Sequence, residues 1–228
     1  MQAKQTTFDL CQKNNWDFEK LAQYVELIEQ KNKVMNLTGF SGNKLWEEGI
    51  YESLIFMDSI INQKHEQILD IGAGVGFPSL PYAIVSPNQM FTIYEPLQKR
   101  VSFLNLVIET LNLKNVKVYN YRAEETLEKN VFDIVTARAV GSVATMLMCA
   151  FHLVKVNGKM ALIKGQKYQE ELEQARNIFK LLTINVNLFQ LPNLLNNKQN
   201  TVIEIIKKRS TPKQFPYKWK DIIKFTKD

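Results

Sequence analysis

Cysteine and histidine are almost missing from this chain, with two of each among 228 residues. Cys11 and Cys149 are too few for a disulfide framework, and neither stands in a metal-ligand spacing, so a reduced, cytoplasmic compartment is expected. His65 falls in a loop before a predicted strand and His152 late in a predicted helix. With no Ser-His-Asp set, no His/Cys cluster and no P-loop lysine, no bound metal is expected. Long apolar runs are missing as well. No stretch reaches the roughly 18 consecutive apolar residues of a membrane span, and the opening MQAKQTTFDLCQKNNWDF lacks the apolar centre of a signal peptide. Glycine is scarce at nine residues, yet three of the nine crowd into positions 72–76. What remains is a chain that is 45% hydrophobic, enough to bury the core of one sizeable domain.

The crowded glycines lie in QILDIGAGVGFP, residues 67–78. Ile68, Leu69 and Ile71 make a short, β-branched apolar run, which predicts a buried parallel strand, with Asp70 near its end. Gly72, Gly74 and Gly76 then allow a sharp turn and a close ligand approach to bare main-chain N–H groups. Pro78 and SLPYAIVS predict a helix. Strand, glycine turn and helix form the opening unit of a doubly wound α/β fold, whose ligands sit at the carboxyl ends of the strands.

Spacing separates two ligands. A dinucleotide fingerprint requires G-x-G-x-x-G, and here Phe77 occupies the third glycine's place. The next predicted strand, FTIYEP, ends in Glu95, at the right distance for a carboxylate that accepts both ribose hydroxyls. Asp70 before the glycines and Glu95 after them suit S-adenosylmethionine better than NAD. A glycine turn with no ligand is the bland alternative.

Around this unit, residues 16–35 place Phe18, Leu21, Val25 and Ile28 on one stripe, a helix capped by Asp17. NLTGFSG follows as a turn in which Asn36 and Thr38 offer local hydrogen bonds, and 43–61 form a second helix. Strands are expected at MFTIYE, VKVYN, FDIVTARAV, GKMALIKG, LTINVNLFQL and NTVIEIIKK. Helices are expected at LQKRVSFLNLVIETLNL, VATMLMCAFHLV and QEELEQARNIFKLL. The short link from Pro192 to Gln199 between the last two strands predicts a final strand that returns antiparallel. The organisation expected is an N-terminal helical cap (1–65), an α/β domain (66–208) and a basic tail (209–228).

The net charge of +6 is unevenly placed: residues 207–228 hold eight lysines and arginines against two aspartates. Such a segment is either a solvated extension or the footprint of phosphate-backbone binding. Phe215, Tyr217 and Trp219 interleave with the lysines, as for stacking on unpaired bases. At the strand ends, Ala123 and Glu124 offer a main-chain N–H and a carboxylate to an adenine ring, or Glu124 serves only a helix N-terminus. Arg138 is a candidate for the methionine carboxylate, an RNA phosphate or a plain salt bridge, and Lys164 shares that ambiguity. No Asn/Asp-Pro-Pro-Tyr stretch, of the kind amino-group methyltransferases carry, follows strand four. Methylating an amine or a carbon needs help with a proton or a covalent step, whereas a ring nitrogen with a free lone pair needs only placement. A site with an arginine and no evident base suits the ring nitrogen.

Taken together and in order, NLTGF, MDSI, ILDIGAGVGFPSLPYAIVSP, TIYEPLQKRVSFL, RAEE, FDIVTARAV, LVKVNGKMALIKG and TPKQFPYK resemble the RsmG (GidB) family of bacterial 16S ribosomal RNA guanine-N7 methyltransferases. The resemblance runs from about Leu27 to Lys218. It implies a class I (Rossmann-like) S-adenosylmethionine-dependent fold, with a seven-stranded, mostly parallel sheet and helices on both faces. It implies cofactor contacts at Gly72, Phe77, Ala123, Glu124 and Arg138, beside Gly74 and Glu95 from the reading above, and no catalytic base. The target implied is a guanine in the decoding-region loop of 16S ribosomal RNA, free or in the small subunit. From the reading of the residues, Lys164, Lys213 and Lys218 are the RNA-contact candidates, and a monomer is expected. The chain departs from the family at Leu54 and Ile55, where a basic residue and a histidine are common, at Glu95-Pro96, commonly Asp-Ser, and at Tyr217, commonly arginine. The competing readings are the same fold acting on another RNA or a small molecule, and a non-catalytic RNA-binding relative.

Overall fold

Apolar side chains alternate along the central strands, so each strand feeds two cores, and both need a cover of helices. A computed structural model describes residues 2–62, 66–192, 195 and 198–225. His65, Lys227 and part of the 192–199 link lie outside the described residues. The strands are β1 (Gln67–Ile71), β2 (Met90–Tyr94), β3 (Val116–Tyr119), β4 (Phe132–Ala137), β5 (Val154–Lys164), β6 (Ile184–Leu191) and β7 (Asn200–Lys207). They form one sheet of order β3-β2-β1-β4-β5-β7-β6. The first five are parallel, and β7 runs antiparallel to both β5 and β6, as the short link predicts. The order reverses between β1 and β4, and the crevice at their carboxyl ends is where such sheets bind ligands.

On one face, Ile68, Phe91, Ile93, Ile134 and Ala161 meet the N-terminal helices and the first two crossover helices. These are α1 (Gln2–Asn14), α2 (Phe18–Met35), α3 (Gly42–Lys44), a π-helical stretch (Leu45–Tyr51), α4 (Glu52–Ile60), α5 (Ser79–Val85) and α6 (Gln98–Thr110). Asp17 caps α2 by accepting from Lys20 N. Asn36 ends that helix in the left-handed region (φ 47°), and Asn32 Oδ1 accepts from Leu37 N and Thr38 N, which shapes the following turn. α1 is not among the expected helices. Its buried stripe is Ala3, Thr7 and Cys11, small side chains that give almost no apolar periodicity.

On the other face, Leu69, Ile71, Val135, Met160, Leu162 and Ile203 meet α7 (Val143–Ala150), α8 (Tyr168–Gln174), α9 (Arg176–Phe179) and α10 (Trp219–Phe225). α8 and α9 divide the single helix expected there, and Ala175 at their junction is buried in this core. Between β3 and β4 only a 3-10 turn (Ala123–Glu125) intervenes. Among the described residues no helix covers β2 and β3 on this side, and a recess of about 830 Å³ opens over Thr92, Lys117, Tyr119 and Leu127.

The basic C-terminal segment is folded onto this face. Phe215 is only 1% exposed and Ile222 is buried with it, and Tyr217 N–H donates to Met148 O at 3.0 Å. Phe215 is therefore part of the core and not a platform for unpaired bases. Lys207 is also withdrawn from the surface charge: it is buried, and its Nζ donates to the carbonyls of Phe151, His152 and Val154. Burial of a full aromatic ring makes the segment a structural element. Phe215→Ala should lower unfolding free energy by about 3–5 kcal/mol, measured by urea denaturation; a change near zero would mean that the segment is loosely held.

Candidate active site

The glycine turn leaves the carboxyl end of β1 with Gly72 at φ 66°, Gly74 at φ 63° and Gly76 at φ 116°, values that side-chain-bearing residues resist. A Cβ on Gly72 would stand 2.8 Å from Val140 Cγ2, whereas one on Gly74 would meet nothing within 4 Å. The expectation of bare glycine N–H groups does not hold. Gly72 N donates to Tyr94 O, Gly76 N to Ala73 O, and Gly74 N to Glu95 Oε2 at 3.0 Å. Glu95, 1% exposed, also accepts from Leu97 N at 3.0 Å and has Arg100 at 3.8 Å. The carboxylate that ends β2 thus holds the β1 turn in shape.

Three recesses meet at this crevice. The first, about 280 Å³, is walled by Gly72, Glu95, Leu97, Ala123, Glu124, Thr145, Cys149 and Trp219. Glu124 is turned inward, and its Oε1 is buried without a hydrogen bond, with the Arg122 guanidinium 3.8 Å away. A buried carboxylate oxygen lacking a donor fits a ligand that brings an N–H, such as the exocyclic amine of adenine. The second recess, about 420 Å³, lies between the 36–40 turn and the glycine loop and touches Gly72, Gly74, Phe77, Arg100, Arg138 and Ala139. The third, about 540 Å³, extends past Arg138 to Glu48, Glu52, Lys164, Glu171 and Asn200. Ala139 borders all three, and holds a left-handed conformation (φ 57°). Non-glycine residues adopt that region at a cost and often do so at functional turns; nothing in the sequence singles out this alanine.

Arg138 leaves β4 and is largely but not fully buried. Its Nη1 donates to Glu48 O at 2.6 Å and to Glu52 Oε1 at 3.2 Å, and the guanidinium lies 5.1 Å from the centre of the Phe77 ring. The salt bridge among its three sequence-level options is thus present. Burial pushes the guanidinium below its ordinary range, and Glu52 and Asp70 oppose that shift. Phe77 is packed against Gly49, Phe40 and Tyr24. Lys164 is committed inside the protein, to Gly141 O at 2.5 Å and Glu171 at 2.8 Å. Lys213 and Lys218 are exposed on the C-terminal segment. Gly72, Glu95, Ala123 and Glu124 are therefore brought together, Gly74, Phe77 and Arg138 border the adjoining recess, and Lys213 and Lys218 line none of the three. Leu97, Arg100, Thr145 and Cys149 join the walls without a sequence signal, because their spacing becomes meaningful only once the loops converge; Trp219, expected from the sequence to stack on unpaired bases, lines the first recess as well.

A model of the family described as rRNA small subunit methyltransferase G matches residues 17–202. The chain belongs to this family. It is 38% identical over 208 residues to "Ribosomal RNA small subunit methyltransferase G" of Mycoplasmopsis pulmonis, covering 90% of this chain and 91% of that relative. To the protein of the same name from Streptococcus pyogenes serotype M12 it is 35% identical over 220 residues, covering 92% and 90%. The fold is shared with an S-adenosylmethionine-dependent methyltransferase from Aquifex aeolicus, at TM-score 0.53 and 18% identity over 69% of this chain and 90% of that one. It is also shared with TYW2 of M. jannaschii in complex with AdoMet, at TM-score 0.54 and 18% identity over 72% and 78%. The chain is a class I, S-adenosylmethionine-dependent methyltransferase. Among the described residues no helix is long and apolar enough to cross a membrane, and no group of three or more His, Cys, Asp or Glu side chains could hold a metal.

Asp70 supports the turn from beneath. One oxygen accepts from both Ser79 N and Ser79 Oγ, and Oδ1 is buried without a partner. Burial pushes its carboxyl from the ordinary 3.8 up to about 7, with the Ser79 bonds opposing. The folded state therefore keeps this proton over a pH range in which the unfolded chain releases it. Stability should fall as pH rises from about 4 to about 7 and level off above that. Asp70→Asn should flatten that segment of the curve in denaturant titrations; an unchanged slope would show that Asp70 ionises freely in the fold.

Proposed function

We propose that this chain transfers a methyl group from S-adenosylmethionine to N7 of a guanine in the decoding-region loop of 16S ribosomal RNA, free or within the small-subunit precursor. The observation that carries the reading is the joining, at Ala139, of an adenosine-sized cavity to a recess bordered by Arg138, in a member of an rRNA methyltransferase family.

Gly72, Gly74, Glu95, Ala123 and Glu124 are the residues assigned to hold the cofactor. Glu124 Oε1 accepts from the adenine amine, and Glu95 turns toward ribose hydroxyls while keeping the loop in shape. Phe77 and Arg138 border the amino-acid end, where the guanidinium complements a carboxylate. When bound, S-adenosylmethionine supplies a methyl group activated by a sulfonium. The protein's task is then to exclude water and hold the acceptor nitrogen in line, about 3–3.5 Å from the carbon it attacks.

No proton has to leave guanine N7, so no base is required. The third recess, about 540 Å³, is assigned to the acceptor, and its carboxylates are each paired with a cation: Glu48 with Lys198 at 2.9 Å, Glu52 with Arg138 at 3.2 Å and Glu171 with Lys164 at 2.8 Å. These pairings suit a site that positions and does not deprotonate. Single-turnover methylation at saturating RNA and cofactor should be nearly flat between about pH 6.5 and 8.5, and a rise of about tenfold per pH unit would reveal a titrating base and overturn the choice of N7. RNA carrying 7-deazaguanine at the target should accept no methyl group.

Lys213 and Lys218 are assigned to RNA phosphates. Replacing both by glutamine should weaken RNA binding and flatten the dependence of log K on log salt by roughly 0.7 for each lost contact. Filter binding across a salt series checks this, and an unchanged slope would assign these lysines to solvation alone.

A further inference from the structure

One wall of the 280 Å³ cavity comes from outside residues 17–202, the stretch that the family model matches: Trp219, the first residue of α10. We propose that Trp219 closes the adenine end of the cofactor cavity, so that the C-terminal segment is a working part of the cofactor site. The inference rests on the placement of the cofactor in that cavity.

Four observations carry it. Trp219 shares the cavity wall with Ala123, Glu124, Thr145 and Cys149, the end where the Glu124 carboxylate lies with its Oε1 free of hydrogen bonds. The Arg122 guanidinium lies 5.5 Å from the indole centre and 3.8 Å from Glu124, so indole, guanidinium and carboxylate form one chain that ends on the cavity. The segment on either side is pinned: Phe215 and Ile222 are buried, and Tyr217 N–H bonds Met148 O in the helix that supplies Thr145 and Cys149. Yet Trp219 is 43% exposed, a large flat apolar ring held in place and left partly uncovered. A purine beside it would cover that surface, and aromatic rings and purines attract one another whatever the base.

The test is calorimetric titration of the full chain with S-adenosylhomocysteine and with 5′-methylthioadenosine, which keeps the adenine and lacks the amino-acid end. Trp219→Ala should weaken both ligands by the same factor, roughly tenfold, and Trp219→Phe should keep most of the affinity. Glu95→Ala serves as the control on the cavity itself. If Glu95→Ala weakens binding while Trp219→Ala binds both ligands as tightly as wild type, the cavity stands and the role of Trp219 is overturned. If neither change alters binding, the cavity is not the cofactor site and both readings fall. Loss of S-adenosylhomocysteine affinity alone, with methylthioadenosine unaffected, would place the indole away from adenine and overturn the proposal. Tryptophan emission gives a second readout independent of the alanine variant's stability. Addition of S-adenosylhomocysteine should change the emission in wild type, and most of that change should vanish in Trp219→Phe. Its persistence there would overturn the proposal.

Discussion

A guanidinium buried to 12% side-chain exposure at the end of a parallel sheet must be neutralised, and the way Arg138 is neutralised ties the molecule together. Its partners come from the N-terminal helices: Glu48 O and the Glu52 carboxylate, which in turn accepts from Asn200 at the start of β7. The π register matters here. Glu52 N–H reaches back to Glu47 O, one residue further than in an α-helix, and Glu48 O accepts from Arg138. Wide turns of this kind recur at functional sites because they redirect backbone groups. Removing one partner of such a pair would leave the other charged and buried, which is strongly destabilising. Helical cap, β4 and β7 are thereby held in one geometry around the crevice.

Gly49 and Phe77 add the apolar counterpart. A Cβ on Gly49 would stand 2.7 Å from the Phe77 ring, so the π-helical stretch approaches the glycine loop as closely as a missing side chain allows. The same ring lies under Arg138 and against Tyr24 and Phe40. The loops that line the crevice are therefore braced from behind by packing, which holds their geometry fixed.

Legibility in the sequence followed the strength of the local signal. β1, the glycine turn and α5 were readable because an apolar strand, three closely spaced glycines and Pro78 all specify backbone conformation locally. The antiparallel return of β7 followed from a link too short for a crossover. α1 was not readable, since Ala3, Thr7 and Cys11 become an interior face only when α2 and the π-helical stretch supply the rest of the core. The C-terminal segment read as charge with interleaved aromatics, and that pattern does not distinguish a ring that meets RNA from one that fills the core. Phe215 does the latter and Trp219 borders the cavity, a difference decided by which side of the chain meets α7.

The site divides along the same line. Residue chemistry alone specified the α/β class, the glycine turn and a strand-final acid at Glu95, because backbone freedom and strand periodicity are properties of a few consecutive residues. Motif resemblance pointed to methyl transfer on RNA. Only the tertiary structure decided that Glu95 bonds the Gly74 amide, that Arg138 and Lys164 spend hydrogen bonds inside the protein, and that Ala139 stands where three recesses meet. Those facts depend on segments as far apart as Phe40 and Asn200 converging at the carboxyl end of the sheet. Sequence spacing carries no record of the distances between them.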